Sequence, residues 1–155
     1  MDKLLAELFN WGTLLGFVFA VILLWLGSIL RRSEKKEERK ASAKINAKSQ
    51  ITTWAEECLK YFNEISIKIY GTDFPIIKSL EIYSELQRFE APGKSAYSSA
   101  NVLDSDVREK TKAALEKLHE VTLAFRKRDN TVWGKMPAVV SNFSELINYL
   151  SKQEF

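Results

Sequence analysis

The sequence predicts an all-α protein: a single N-terminal transmembrane helix, a charged stalk, and a small antiparallel four-helix bundle. Three observations lead there. No charged side chain occurs from Leu8 through Leu30, a run of 23 residues. The next stretch, residues 31–50, "RRSEKKEERKASAKINAKSQ", carries eight Lys/Arg against three Glu. From Gln50 onward, apolar residues recur at spacings of three and four, and no stretch alternates at period two.

The apolar run comes first. At 1.5 Å per residue, Trp11–Leu30 spans about 30 Å, the thickness of a bilayer's hydrocarbon core. A buried soluble helix rarely runs that long without a polar face. A cleaved signal peptide would need a basic start, a shorter core and a small-x-small site. Here "MDKLLAE" sets Lys3 against Asp2 and Glu7, and the run ends in "GSILRR". Trp11 and Trp25 suit the two membrane interfaces. The basic residues lie almost entirely after the span, so the positive-inside rule places residues 1–10 outside the cell membrane, as a short extracytoplasmic N-terminus. Residues 11–30 then cross it, and residues 31–155 lie in the cytosol.

Charge divides along the same lines. The chain's net +3 arises in the juxtamembrane stretch, whereas residues 51–155 hold 14 basic against 15 acidic side chains. A nucleic-acid-binding domain carries its own basic excess, so no nucleic acid is expected as a partner. A lone cysteine, Cys58, excludes an internal disulfide and fits a reducing compartment. The sequon at Asn142–Ser144 is idle on this topology.

Residues 31–50 read as a solvated helical stalk or flexible tether continuing the span. Four amphipathic segments follow in residues 51–155, the cytosolic helical domain. The first, from about Gln50 to Tyr70, carries Ile51, Ala55, Cys58, Phe62, Ile65 and Ile69 on one stripe, widened by Trp54 and Leu59. "YGTDFP" ends it, with Gly71 as the stop, Thr72 and Asp73 in the turn, and Pro75 starting the next helix. The second segment runs to Phe89, burying Ile76, Ile77, Leu80, Tyr83 and Leu86. The short join favours an antiparallel hairpin. Residues 90–105, "EAPGKSAYSSANVLDS", read as an irregular loop. Asp104 or Ser105 caps the third helix, with Asp106 and Glu109 near its positive end. That helix presents Val107, Thr111, Ala114, Leu115, Leu118, Val121, Thr122 and Phe125, and "RDNTVWGKMP" breaks it. The last begins near Pro137 or Asn142 and presents Val139, Val140, Phe143, Leu146, Ile147 and Leu150.

Several features invite a functional reading. Gly12, Gly16 and Ala20 share one helical face, with Gly27 near the same stripe. Small residues at that spacing let helices in lipid approach closely, which points to self-association or a partner helix, although glycine is common in such helices anyway. The juxtamembrane cations Arg31, Arg32, Lys35 and Lys36, followed by others as far as Lys48, serve as the stop-transfer signal. Binding to anionic lipid is weakened by the interleaved Glu34, Glu37 and Glu38, so no lipid specificity is expected. "RKRDNTVWGKMP" gathers Arg126, Lys127, Arg128, Trp133 and Lys135 in a loop. An aromatic among cations suits a partner surface, but the same residues serve equally to cap a helix and pack back on the bundle.

Chemistry is harder to find. "PGKS" at Pro92–Ser95 resembles the end of a phosphate-binding loop, but position 88 is Arg rather than Gly and no strand precedes it. His119 is the only histidine, and the nearby Glu116 and Glu120 do not complete a triad. Cys58 sits on an apolar stripe, and one Cys with one His cannot form a zinc site alone. No catalytic residues, metal or cofactor are expected. The expected protein is a non-enzymatic, single-pass module that binds another protein as a tether, adaptor or assembly subunit. The alternative is an effector whose assembled transmembrane helices permeabilise the membrane. Against it, the span offers only Thr13 and Ser28 as polar groups. An enzyme using groups supplied by its substrate or partner is a third reading.

Overall fold

The computed structural model describes the backbone of residues 2–69, 76–129 and 131–153, and the side-chain surroundings of residues 16–67, 79–129 and 131–153. Among them every element is helical: α1 (Asp2–Ile69), α2 (Ile76–Ser99), a 3-10 turn (Ala100–Val102), α3 (Ser105–Lys127) and α4 (Val132–Ser151). The chain forms two compact units, Met1–Ser42 and Ala43–Phe155, and α1 contributes to both.

In the first unit α1 is helical from Asp2 onward, so residues 31–42 take the helical rather than the tether form of the stalk. Every large apolar side chain from Phe17 to Leu30 is exposed, Phe17 and Leu24 to 72% and 75%. This N-terminal part is long and apolar enough to cross a membrane, and it is the one such stretch among the described residues.

In the second unit the core begins one turn before the expected helical domain, at Ala47. Ile51, Trp54, Ala55, Cys58, Phe62 and Ile65 of α1 are buried, as the stripe predicts, and Leu59 is partly so. α3 packs along both α2 and α4. α1 joins through its large rings: the Phe143 ring of α4 lies 5.1 Å from that of Trp54 and 6.3 Å from that of Phe62. Phe62, Phe125 and Phe143 are the largest fully buried side chains, each stabilising the fold by about 1.5–3 kcal/mol relative to exposure. The α3 stripe is buried as expected apart from Leu115, which is partly so, and α4 buries Val139, Phe143, Leu146 and Leu150.

The termini of α3 follow from its flanking residues. Asp104 is the N-cap, its carboxylate accepting the Val107 N–H at 2.7 Å. At the other end Arg128 adopts φ 56°, letting the Asp129 N–H reach the Ala124 carbonyl at 3.0 Å. Among the described residues the buried hydroxyls are all bonded: Thr111 and Thr122 donate to the carbonyls four residues back, and Ser79 reaches across to the Phe125 carbonyl at 2.8 Å.

Three expectations are corrected. Residues 90–99 are not loop, because α2 continues through Pro92 to Ser99. Pro92 removes the donor for the Arg88 carbonyl, while the adjacent Phe89 carbonyl gains the Trp54 indole N–H at 3.0 Å. Gly93 is buried at the closest approach, where a Cβ would lie 2.7 Å from both Trp54 and Leu115. Packing thus overrides two local breakers. Second, α4 starts at Val132 with Pro137 inside it, so the 126–137 loop shrinks to a turn. Pro137 lies close to the helix start, and only the Trp133 carbonyl loses its donor. Third, Leu80 is 46% exposed. Leu86 is buried as expected, and the rest of the buried line runs through Ser79, Gly93 and Ala96 of α2 and Ala100 of the 3-10 turn, small residues that a hydrophobic pattern underweights. The turn "YGTDFP" lies outside the described residues, as do the side-chain surroundings of Ile69, Ile76 and Ile77.

Candidate functional site

In the first unit the small-residue face is open. A Cβ on Gly16 or Gly27 would meet nothing within 4 Å, and Ala20 is exposed. Gly12 lies outside the residues whose side-chain surroundings are described. The cations Arg31, Arg32, Lys35 and Lys36 are all exposed on α1.

In the second unit the structure divides the expected basic loop between two helices. Arg126 and Lys127 occupy the last turn of α3, where cations complement the helix dipole, and Arg128 forms its left-handed end. Trp133 and Lys135 fall in the first turns of α4. The Trp133 ring stands edge-on to Phe125 at 5.8 Å, so it packs back against the core while keeping 36% exposure. Asp129 closes the turn by accepting the Thr131 N–H at 2.9 Å. That bond holds its carboxyl below the usual range, with Lys135 and Lys127 adding to the effect.

The register of α2 against α3 forms a second feature that the sequence reading did not assemble. Ser79 meets Phe125, Glu90 meets His119, and the Arg108 guanidinium lies 5.6 Å over the Tyr97 ring, which makes the pair antiparallel. Along this seam an open groove of about 560 Å³ is lined by Glu90, Lys94, Leu115, Glu116, His119 and Glu120. His119 Nδ1 lies 3.0 Å from Glu90 Oε1. Glu116 pairs with Lys112 at 3.7 Å and Glu120 with Lys117 at 2.9 Å. Lys94, the lysine of "PGKS", lies on α2 rather than in a phosphate-binding loop. The sequence hides the seam because Pro92–Gly93 reads as a break just after Glu90; only a helical α2 brings Glu90 level with His119.

The chemistry open to this groove is limited. A carboxylate-oriented imidazole is half of an acid–base unit, but the lining residues include no hydroxyl or thiol to act as nucleophile. The one thiol, Cys58, is buried. Its pKa is pushed far up, chiefly by burial and further by Glu57, so it stays protonated and unreactive. Tyr61 is also raised, to about 12, chiefly by burial. Among the described residues no group of three His, Cys, Asp or Glu side chains is placed to hold a metal ion.

No known protein family, no curated protein and no solved structure matches this chain.

Proposed function

We propose that the protein is a single-pass, membrane-anchored helical module that binds another protein, with residues 1–10 outside the cell membrane and an antiparallel four-helix bundle in the cytosol. It acts as a tether, adaptor or assembly subunit rather than an enzyme. One observation carries the reading. The same α-helix whose large apolar side chains are all exposed from Phe17 to Leu30 goes on to supply Ala47–Ile65 to the core of the second unit. A span and a separately packed helical unit in one chain are the parts of an anchored binding module. In this reading the small-residue face of Gly12, Gly16, Ala20 and Gly27 contacts a second transmembrane helix, and the Arg126–Lys135 end is available to a partner.

The test is purification of the full-length chain from native membranes in mild detergent, followed by mass spectrometry. Recovery of a defined partner at fixed stoichiometry is expected; recovery of the chain alone overturns the reading. Protease added outside sealed cells should spare residues 31–155, and cleavage there would reverse the topology. A membrane-potential dye separates the module from a permeabilising effector, because induced expression of the module leaves the potential unchanged.

A further inference from the structure

The juxtamembrane charges look interleaved in sequence, but the helix re-sorts them. On a helix of 3.6 residues per turn, Arg31, Lys35, Arg39, Arg32, Lys36 and Lys40 fall within an arc of about 180°. Glu34, Glu37 and Glu38 fall in the remaining part of the circumference, within about 100° of one another, with Glu38 bordering the basic arc next to the azimuth of Arg31. α1 is continuous through all of them and every side chain from residue 31 to 40 is exposed. Among the described residues, none of the six cations lies within 4 Å of a carboxylate.

The pattern opposes the helix that carries it. Each charged pair at spacing four within residues 31–40 is like-charged: 31 with 35, 35 with 39, 32 with 36, 36 with 40, and 34 with 38. Such pairs destabilise a helix, and the pairs at spacing three do not offset them, because three opposite ones (31 with 34, 35 with 38, 37 with 40) are matched by three like ones (32 with 35, 34 with 37, 36 with 39). An anionic surface along the basic side would. Position says which surface: the first four cations lie within about 9 Å of axial rise beyond Leu30. The flexible stems of Lys and Arg extend that reach toward the headgroups.

We infer that this basic face binds the headgroups of anionic phospholipids, leaving the Glu34, Glu37 and Glu38 side turned away from them. The inference rests on the span crossing a membrane. An acidic protein segment is the competing ligand. The lipid is favoured because the face starts at the first residue after the apolar run, where headgroups are already present at high concentration.

The experiment uses the full-length protein in nanodiscs of equal phosphatidylcholine and phosphatidylglycerol, and counts the lipids that stay bound through mild detergent extraction. The informative variant is Lys36→Glu, Glu37→Lys, Glu38→Lys, Arg39→Glu. It keeps net charge and the number of cations after the span, exchanging one Arg for a Lys, but places two carboxylates in the basic arc. It also turns four of the five like-charged pairs into opposite ones, so helix melting cannot explain a loss. The natural chain should retain phosphatidylglycerol over phosphatidylcholine by about fivefold or more, the ratio that one well-placed cation contributes. The rearranged chain should fall close to parity. Equal enrichment in both chains, or none in either, overturns the inference. So does an acidic protein that copurifies only with the natural chain in the absence of lipid preference. Protease protection of both reconstituted chains keeps the outcomes apart: loss of insertion sinks the anchored reading, whereas normal insertion without lipid preference sinks only this inference.

Discussion

The residues between Phe17 and Leu30 and those of the second unit's core are drawn from the same apolar set, yet they meet opposite surroundings. Trp25 is 64% exposed and Trp54 2%. Trp54 has a fixed acceptor for its N–H, an edge-on ring partner in Phe143, and a glycine beneath its ring. The apolar side chains around Trp25 are exposed in every direction. In the core, complementarity of shape decides which side chain a position tolerates. In the proposed span, affinity for hydrocarbon decides at the large positions, and any large apolar residue satisfies it. The two regions should therefore respond oppositely to the same kinds of change.

The sharpest break is Leu23→Arg with Leu24→Arg. Each arginine at a span centre costs about 3 kcal/mol, so the chain should move from the carbonate-resistant pellet to the soluble or degraded fraction. Retention in the pellet would mean that residues 11–30 are not the anchor. Phe143→Ala comes next, with a loss of about 3–5 kcal/mol read as a lowered thermal midpoint of the detergent-solubilised full chain. Phe19→Ala should leave that midpoint within error. Gly93→Ala follows at about 1–3 kcal/mol, the range for overpacking, because its Cβ must displace Trp54 or Leu115. Gly27→Ala, with open space around it, should be silent in the same assay. Asp104→Ala removes the α3 cap for about 1 kcal/mol. The smallest effect concerns acid. The folded state holds the Asp129 carboxyl below its ordinary value, so its contribution to the turn is present above the unfolded carboxylate range and disappears as pH falls through the folded one. Asp129→Asn should flatten that portion of an acid titration followed by circular dichroism.

The comparison also explains what could be read from the sequence. The stripes of α1 and α3 were legible because large side chains mark them at spacings of three and four, and the structure buries Ile51, Cys58, Phe62, Val107, Leu118 and Phe125 accordingly. The long apolar helix near the N-terminus was legible from its composition alone. The second half of α2 was not. Its contact line is made by Gly93 and Ala96 and continued by Ala100 of the 3-10 turn, which carry little hydrophobic signal, and Pro92–Gly93 imitates a break. What keeps that stretch helical lies forty residues away in sequence, in the ring and N–H of Trp54. The Glu90–His119 groove was hidden by the same error, since its two sides are level only when α2 is complete. The start of α4 was set too late because Pro137 was taken for a boundary. The charge arrangement at residues 31–40 needed no side-chain contact to find, only the knowledge that the stretch is helical.

The absent side chain at position 93 has a consequence for how this protein can change over generations. Positions 54, 93 and 115 compete for one small volume, so none of the three can drift alone. A descendant that gains a methyl group at 93 should already have a slimmer ring at 54 or a shorter chain at 115. When sister sequences are collected, that three-way correlation is the signature by which this helix pairing can be recognised without coordinates.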